Sequence, residues 1–103
     1  MTKPTITILD GGMGRELARR NAPFRQPEWS ALALYEAPIT IQQVHQDFIT
    51  SGADVITTNS YAVVPFHIGE QRFQADAKTL AALAGRLAKN AVEHTACQVK
   101  IAG

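Results

Sequence analysis

Six consecutive residues, Leu9-Asp10-Gly11-Gly12-Met13-Gly14, carry the densest chemistry in the chain. They set a carboxylate beside consecutive glycine N–H groups, which a ligand can approach closely because no side chain stands in the way. A carboxylate accepts from an ammonium, and paired N–H groups donate to a carboxylate. The segment therefore suits the two ends of an α-amino acid. A tight turn with a solvated Asp is the competing use of the same residues, since glycine turns after strands are ordinary. A dinucleotide fits poorly, because Gly12-Met13-Gly14-Arg15-Glu16-Leu17 lacks the last glycine of G-x-G-x-x-G and Asp10 would repel a pyrophosphate.

A second polar run, Thr57-Thr58-Asn59-Ser60-Tyr61, offers hydroxyl, amide and phenol groups. Placed after a strand parallel to the one before Asp10, it shares a rim with Asp10, because parallel strands share their carboxyl ends. Asn59 and Ser60 making a plain turn, with Tyr61 half buried, is the alternative. The candidate metal ligands are His45, His67, His94 and Cys97. His94-x-x-Cys97 has tolerable spacing, but it precedes a strand and so falls on the face opposite the loops that follow strands. Neither a metal site nor a cysteine nucleophile is expected among these residues, whose expected roles are on the surface or in packing. Arg15, Arg19, Arg20 and Arg25 read as a solvated face, and Trp29 as a core residue.

The elements that must hold these groups alternate between strand and helix. Thr5 to Leu9 is rich in β-branched residues and stops at the glycines, which predicts a first strand. A short helical turn over 14–20 and a proline-broken loop over 21–30 follow, then a turn or two of helix from Ser30 to Glu36 that Pro38 stops. The next helix is marked by Thr40 as cap, Gln43 reaching back, and Ile39 packing on Val44. Ile41, Val44 and Phe48, with Ile49 alongside, give it an apolar face, and Gly52 suits the left-handed residue after it. Asp54 to Asn59 reads as a second strand covered on both faces, and 60–69 as irregular. Phe73, Ala77, Leu80, Ala84, Leu87 and Ala91 recur in steps of four and three, the stripe of a long amphipathic helix. Gln98 to Ala102 completes a third strand. This βα alternation predicts a parallel sheet.

At 103 residues the chain suits one small domain, and 46% hydrophobic with 18% charged residues is the composition of a folded globule. A net charge of +1 gives no bulk reason to bind nucleic acid, and no apolar run approaches the roughly 18 residues of a membrane span. One cysteine excludes an internal disulfide. The start of the chain alternates Thr with Ile and reaches Asp10 at once, unlike a signal peptide, so a cytoplasmic location is expected.

Four segments in register, residues 8–17 (ILDGGMGREL), Trp29-Ser30, Val44-His45 and residues 51–61 (SGADVITTNSY), together resemble the amino-terminal part of the homocysteine S-methyltransferase family. The resemblance runs from about Thr5 to Gly103. It implies a (β/α)8 TIM-type barrel that moves a methyl group from a small donor to the sulfur of homocysteine, making methionine, with zinc binding the thiol. An eight-fold barrel takes about 250 residues, so the fold class expected here is α/β, the first three strands of a truncated barrel. By the same resemblance, Asp10 and the backbone of Gly11 and Gly12 help hold the amino-acid end of homocysteine. Tyr61 lies by the site in relatives that use betaine, and Thr58 and Asn59 accompany it. Zinc favours thiolate over thiol, and thiolate is the better nucleophile.

Two residues depart from the pattern: Arg15 stands where Thr is common, and Ser60 where Thr is frequent. The three cysteines that bind the family's zinc, including a Gly-Gly-Cys-Cys segment, belong to its carboxyl-terminal half and are absent from this sequence. The expectation is a chain that orients homocysteine without activating it. Two other readings stay open: a non-catalytic truncated module that associates with itself or another chain through open sheet edges, and a small α/β ligand-binding domain of unrelated ancestry.

Overall fold

The computed structural model describes residues 6–95 and 98–103. Thr5, where the first strand was expected to start, and Cys97 lie outside these. The sheet has two parallel strands, and a third segment joins it through one parallel bridge. Leu9 bridges Val55, and β1 (Val55–Thr57) pairs with β2 (Lys100–Ala102) in the register Val55 to Lys100, Ile56 to Ile101 and Thr57 to Ala102. The first expected strand is thus a single bridge, supported by Asp54 N–H to Ile8 O (2.7 Å) and Asp10 N–H to Val55 O (3.0 Å). The chain-order arrangement, first segment beside β1 beside β2, is the one that βα alternation predicts.

Before β1 come α1 (Met13–Arg19), α2 (Ala31–Glu36) and α3 (Pro38–Thr50); after it come a 3-10 turn over Asn59–Ala62, α4 (Pro65–Ile68) and α5 (Glu70–Thr95). Several expected boundaries move. α1 starts one residue early, at Met13. α3 begins at Pro38 rather than after Thr40, because proline already has helical φ and needs no N–H in the first turn. Thr40 is therefore inside the helix, no side chain caps it, and Ile39 is exposed instead of stapled to Val44. Gly52, with φ +114°, ends the segment as expected. The stretch 60–69 is not irregular throughout, since Val64 in extended conformation and Pro65 at the first helical position start a four-residue helix.

The long helix packs its predicted stripe. Leu80, Ala84 and Leu87 are buried, with Phe73 and Ala77 half buried, in a cluster with Leu17, Leu34, Ile41 and Val44 from α1 to α3, and Ala91 is buried further along the stripe. A smaller cluster of Ile49, Ala53, Ile56, Ala88 and Ala91 seals α3 and α5 onto one face of β1. The other face is not covered: Thr57 is exposed and Val55 half exposed, which corrects the expectation of a strand buried on both sides. Trp29 also departs from expectation. It stands on the surface beside Phe24, ring centroids 5.5 Å apart, with its backbone at φ +52°. No described helix is long and apolar enough to cross a membrane.

Candidate functional site

Asp10 leaves the sheet beside the end of β1, and the register decides its partner. With Leu9 opposite Val55, the Asp10 carboxylate meets Thr57, whose N–H donates to Oδ2 at 2.8 Å and whose hydroxyl donates to Oδ1 at 3.2 Å. A carboxylate offers about four acceptor positions, so Asp10 keeps capacity for a ligand. The N–H groups of Gly11 and Gly12, both exposed, donate to no described group. Gly11 also has a packing reason to be glycine: a Cβ there would lie 2.9 Å from Phe48 Cε1, so α3 presses directly on the turn. Thr57 was not singled out as a site residue by sequence reasoning. Its signal was the polar run itself, but only the strand register shows which member faces Asp10.

The residues after β1 divide by direction. Thr58 is buried, its N–H on Ala102 O (2.9 Å) and its hydroxyl 2.7 Å from that of Ser60. Asn59 is fully buried and donates from Nδ2 to Ser30 O (3.0 Å), while its Oδ1 has no described partner. Tyr61 is 55% exposed rather than half buried, and its hydroxyl accepts from Ser30 Oγ at 3.2 Å. Ser30, itself buried, thus holds Asn59 and Tyr61, and Thr57 holds Asp10. Of the expected residues, Asp10 with Gly11 and Gly12 forms one group and Asn59 with Tyr61 another. No hydrogen bond joins the two groups.

His45 stands on α3, the helix whose Phe48 packs on the turn. It was expected to pack or sit on the surface, and the structure buries it completely, with both ring nitrogens lacking a described partner. Burial pushes its pKa down to about 4, opposed in part by the negative charge of Asp10. A buried polar atom without a partner costs about 1–3 kcal/mol, so this imidazole is a substantial local penalty in a small domain.

The described residues do not make a metal centre. No three His, Cys, Asp or Glu side chains among them gather into a set able to hold an ion. His67 Nδ1 donates to Ala62 O at 3.2 Å and His94 Nδ1 to Asn90 O at 3.1 Å, so each ring is engaged by its own backbone. These described residues do not fit the zinc that the resemblance implies.

Relatives share this stretch. A selenocysteine methyltransferase of Astragalus bisulcatus is 46% identical over 59% of this chain and 21% of its own length. Homocysteine S-methyltransferase 1 of Zea mays is 34% identical over 82% and 26%, and the enzyme of the same name from Arabidopsis thaliana is 37% identical over 56% and 18%. The chain therefore spans about a quarter or less of the curated relatives it matches. No solved structure matches it. The homocysteine S-methyltransferase family model matches residues 7–103 and so takes in both strand ends, the glycine turn and the whole rim described above; this chain belongs to the homocysteine S-methyltransferase family.

Proposed function

We propose that this chain is the amino-terminal part of a (β/α)8 barrel enzyme that transfers a methyl group to the sulfur of homocysteine, and that its own residues hold the amino-acid end of that acceptor. The observation that carries this reading is the Asp10 turn: a carboxylate fixed twice by Thr57, followed by two exposed glycines whose N–H groups donate to no described group. The α-ammonium meets the open lone pairs of Asp10, in a charge-assisted bond, and the α-carboxylate takes the N–H groups of Gly11 and Gly12. Thr58, Asn59 and Tyr61, which follow the end of β1, complete the acceptor's surroundings in this reading. Held at its amino-acid end, the acceptor presents sulfur to a methyl donor. The sulfur lone pair forms the new S–CH3 bond as the donor's bond to that methyl breaks, and fixing the geometry in advance removes much of the entropic barrier.

The same grip serves selenocysteine, whose amino-acid end is identical, in keeping with the name of the Astragalus relative. Zinc, in the whole enzyme, would supply thiolate activation from ligands outside this sequence. Calorimetry of the chain with L-homocysteine tests the reading. Asp10→Asn is expected to weaken binding by about 1.5–3 kcal/mol, the usual worth of a hydrogen bond to a charged group. Equal affinity in the variant would leave the turn with a structural role only. A second reading, a non-catalytic module that associates with another chain, draws on the exposed Ile8, Leu9 and Ile101 of the sheet.

A further inference from the structure

Among the described residues of this region, the fully buried His45 ring is left unused by the amino-acid grip. Its helix is pressed on the turn, since Phe48, three residues on and so on the same helical face, lies where a Gly11 Cβ would be. The negative charge of Asp10 opposes the effect of burial on the ring. Both ring nitrogens lack a described partner, although the residue has no exposure at all. A neutral imidazole has one donor and one acceptor, and a buried donor without a partner raises the energy of whichever state contains it.

We propose that His45 is a positioning residue for the turn: when an α-amino acid occupies it, a ring N–H of His45 donates to the Asp10–Gly12 segment and fixes the carboxylate that receives the ammonium. The inference rests on the amino-acid reading of the site. Its physical content is a difference between two states. The bond is missing in the free chain and made in the bound one, so it adds to affinity rather than to resting stability. The free chain carries an unpartnered donor on α3, the helix whose Phe48 contacts that segment. Closing that segment on its ligand removes the penalty. A neutral ring also leaves the ammonium facing an uncompensated carboxylate, because it brings no competing positive charge to Asp10.

Calorimetry with L-homocysteine on the full chain, its His45→Leu and His45→Gln variants, and 15N spectra of the wild-type imidazole tests this. A ring that merely fills space predicts that leucine binds as well as wild type, because an apolar group relieves an unpaired one. A positioning ring predicts about tenfold weaker binding with leucine, recovery to within about threefold with glutamine, which retains an N–H donor, and a shift of one His45 ring nitrogen when ligand is added. Wild-type affinity in the leucine variant, or ring signals that ignore L-homocysteine while it binds, would overturn the proposal. If the wild-type chain binds no L-homocysteine, the amino-acid reading itself fails, and Asp10→Asn then decides about His45: unchanged ring signals in that variant would show that the ring does not sense the turn, and changed ones that it does.

Discussion

At the scale of single residues, the site is built from groups that are already committed elsewhere. Thr57 spends its N–H and its hydroxyl on Asp10, and Ser30 spends its hydroxyl and carbonyl on Tyr61 and Asn59. In the proposed reading, such bonds fix the direction of the groups that meet the acceptor before it arrives. His45 has the opposite character, and its consequence is measurable without a ligand. Its folded pKa of about 4 lies below the ordinary 6.5, so the unfolded chain takes up the proton first as pH falls. The stability associated with the neutral ring is therefore complete above about pH 6.5 and is lost as pH drops toward 4, by about 3 kcal/mol in all. Urea midpoints measured across this window are expected to fall more steeply with decreasing pH in the wild type than in His45→Gln; parallel curves would show that folding does not lower the pKa of the ring. The sequence announced Asp10, Gly11, Gly12 and the polar run, because glycine spacing and side-chain type are local properties. It did not announce Thr57, Ser30 or the burial of His45, because strand register and helix rotation assign those.

At the scale of elements, three glycines separate propensity from packing. Gly85 sits inside α5, where an added Cβ meets nothing within 4 Å. Gly85→Ala is therefore expected to stabilise the fold by about 0.5–1 kcal/mol, the ordinary gain in a helix interior. Gly14 is also helical, but a Cβ there would lie 2.7 Å from Phe24 Cε2 and 2.9 Å from Cζ. Gly14→Ala is expected to destabilise, since forcing this half-buried ring off its seat costs typically 1–3 kcal/mol and outweighs the propensity gain. Thermal unfolding of both variants checks the pair, and the same sign in both would contradict it. Adding Phe24→Leu to Gly14→Ala should recover part of the loss. Gly52 differs again, because φ +114° strains any side chain whatever the space around it. The sequence located α3 and α5 well, since their apolar stripes are long and regular. It misread the start of α3 and the four-residue α4, each of which has a proline in its first turn and no side-chain cap. The strands were legible as strands but not in length, because pairing across 46 residues decides where a ladder begins and ends.

At the scale of the whole molecule, shape and surface point the same way. A compact chain of this length has a radius of gyration of about 13 Å, whereas this one measures 14.3 Å with extents of 55 × 26 × 22 Å. The cause is α5, whose 26 residues span roughly 39 Å. The sheet behind it is small and open. Leu9 is 66%, Ile8 53% and Ile101 41% exposed, the surface of β1 that faces away from the helices is bare, and no described strand lies beyond the Leu9 segment or beyond β2. Parallel strands ordinarily have both faces covered and both edges paired or closed, because unpaired N–H and C=O groups and bare apolar side chains recruit another strand. This chain is therefore expected to self-associate through the sheet, with a sedimentation coefficient that rises with concentration. Replacing Leu9 and Ile101 together by lysine places charge on both outer segments and should shift the distribution to monomer while leaving the helical signal, which comes from α3 and α5, unchanged. The variant separates association through the sheet from association through the helices. A wild-type chain that stays monomeric at every concentration would mean that the open sheet does not govern its behaviour in solution, and a variant that associates as before would move the contact to the helical face.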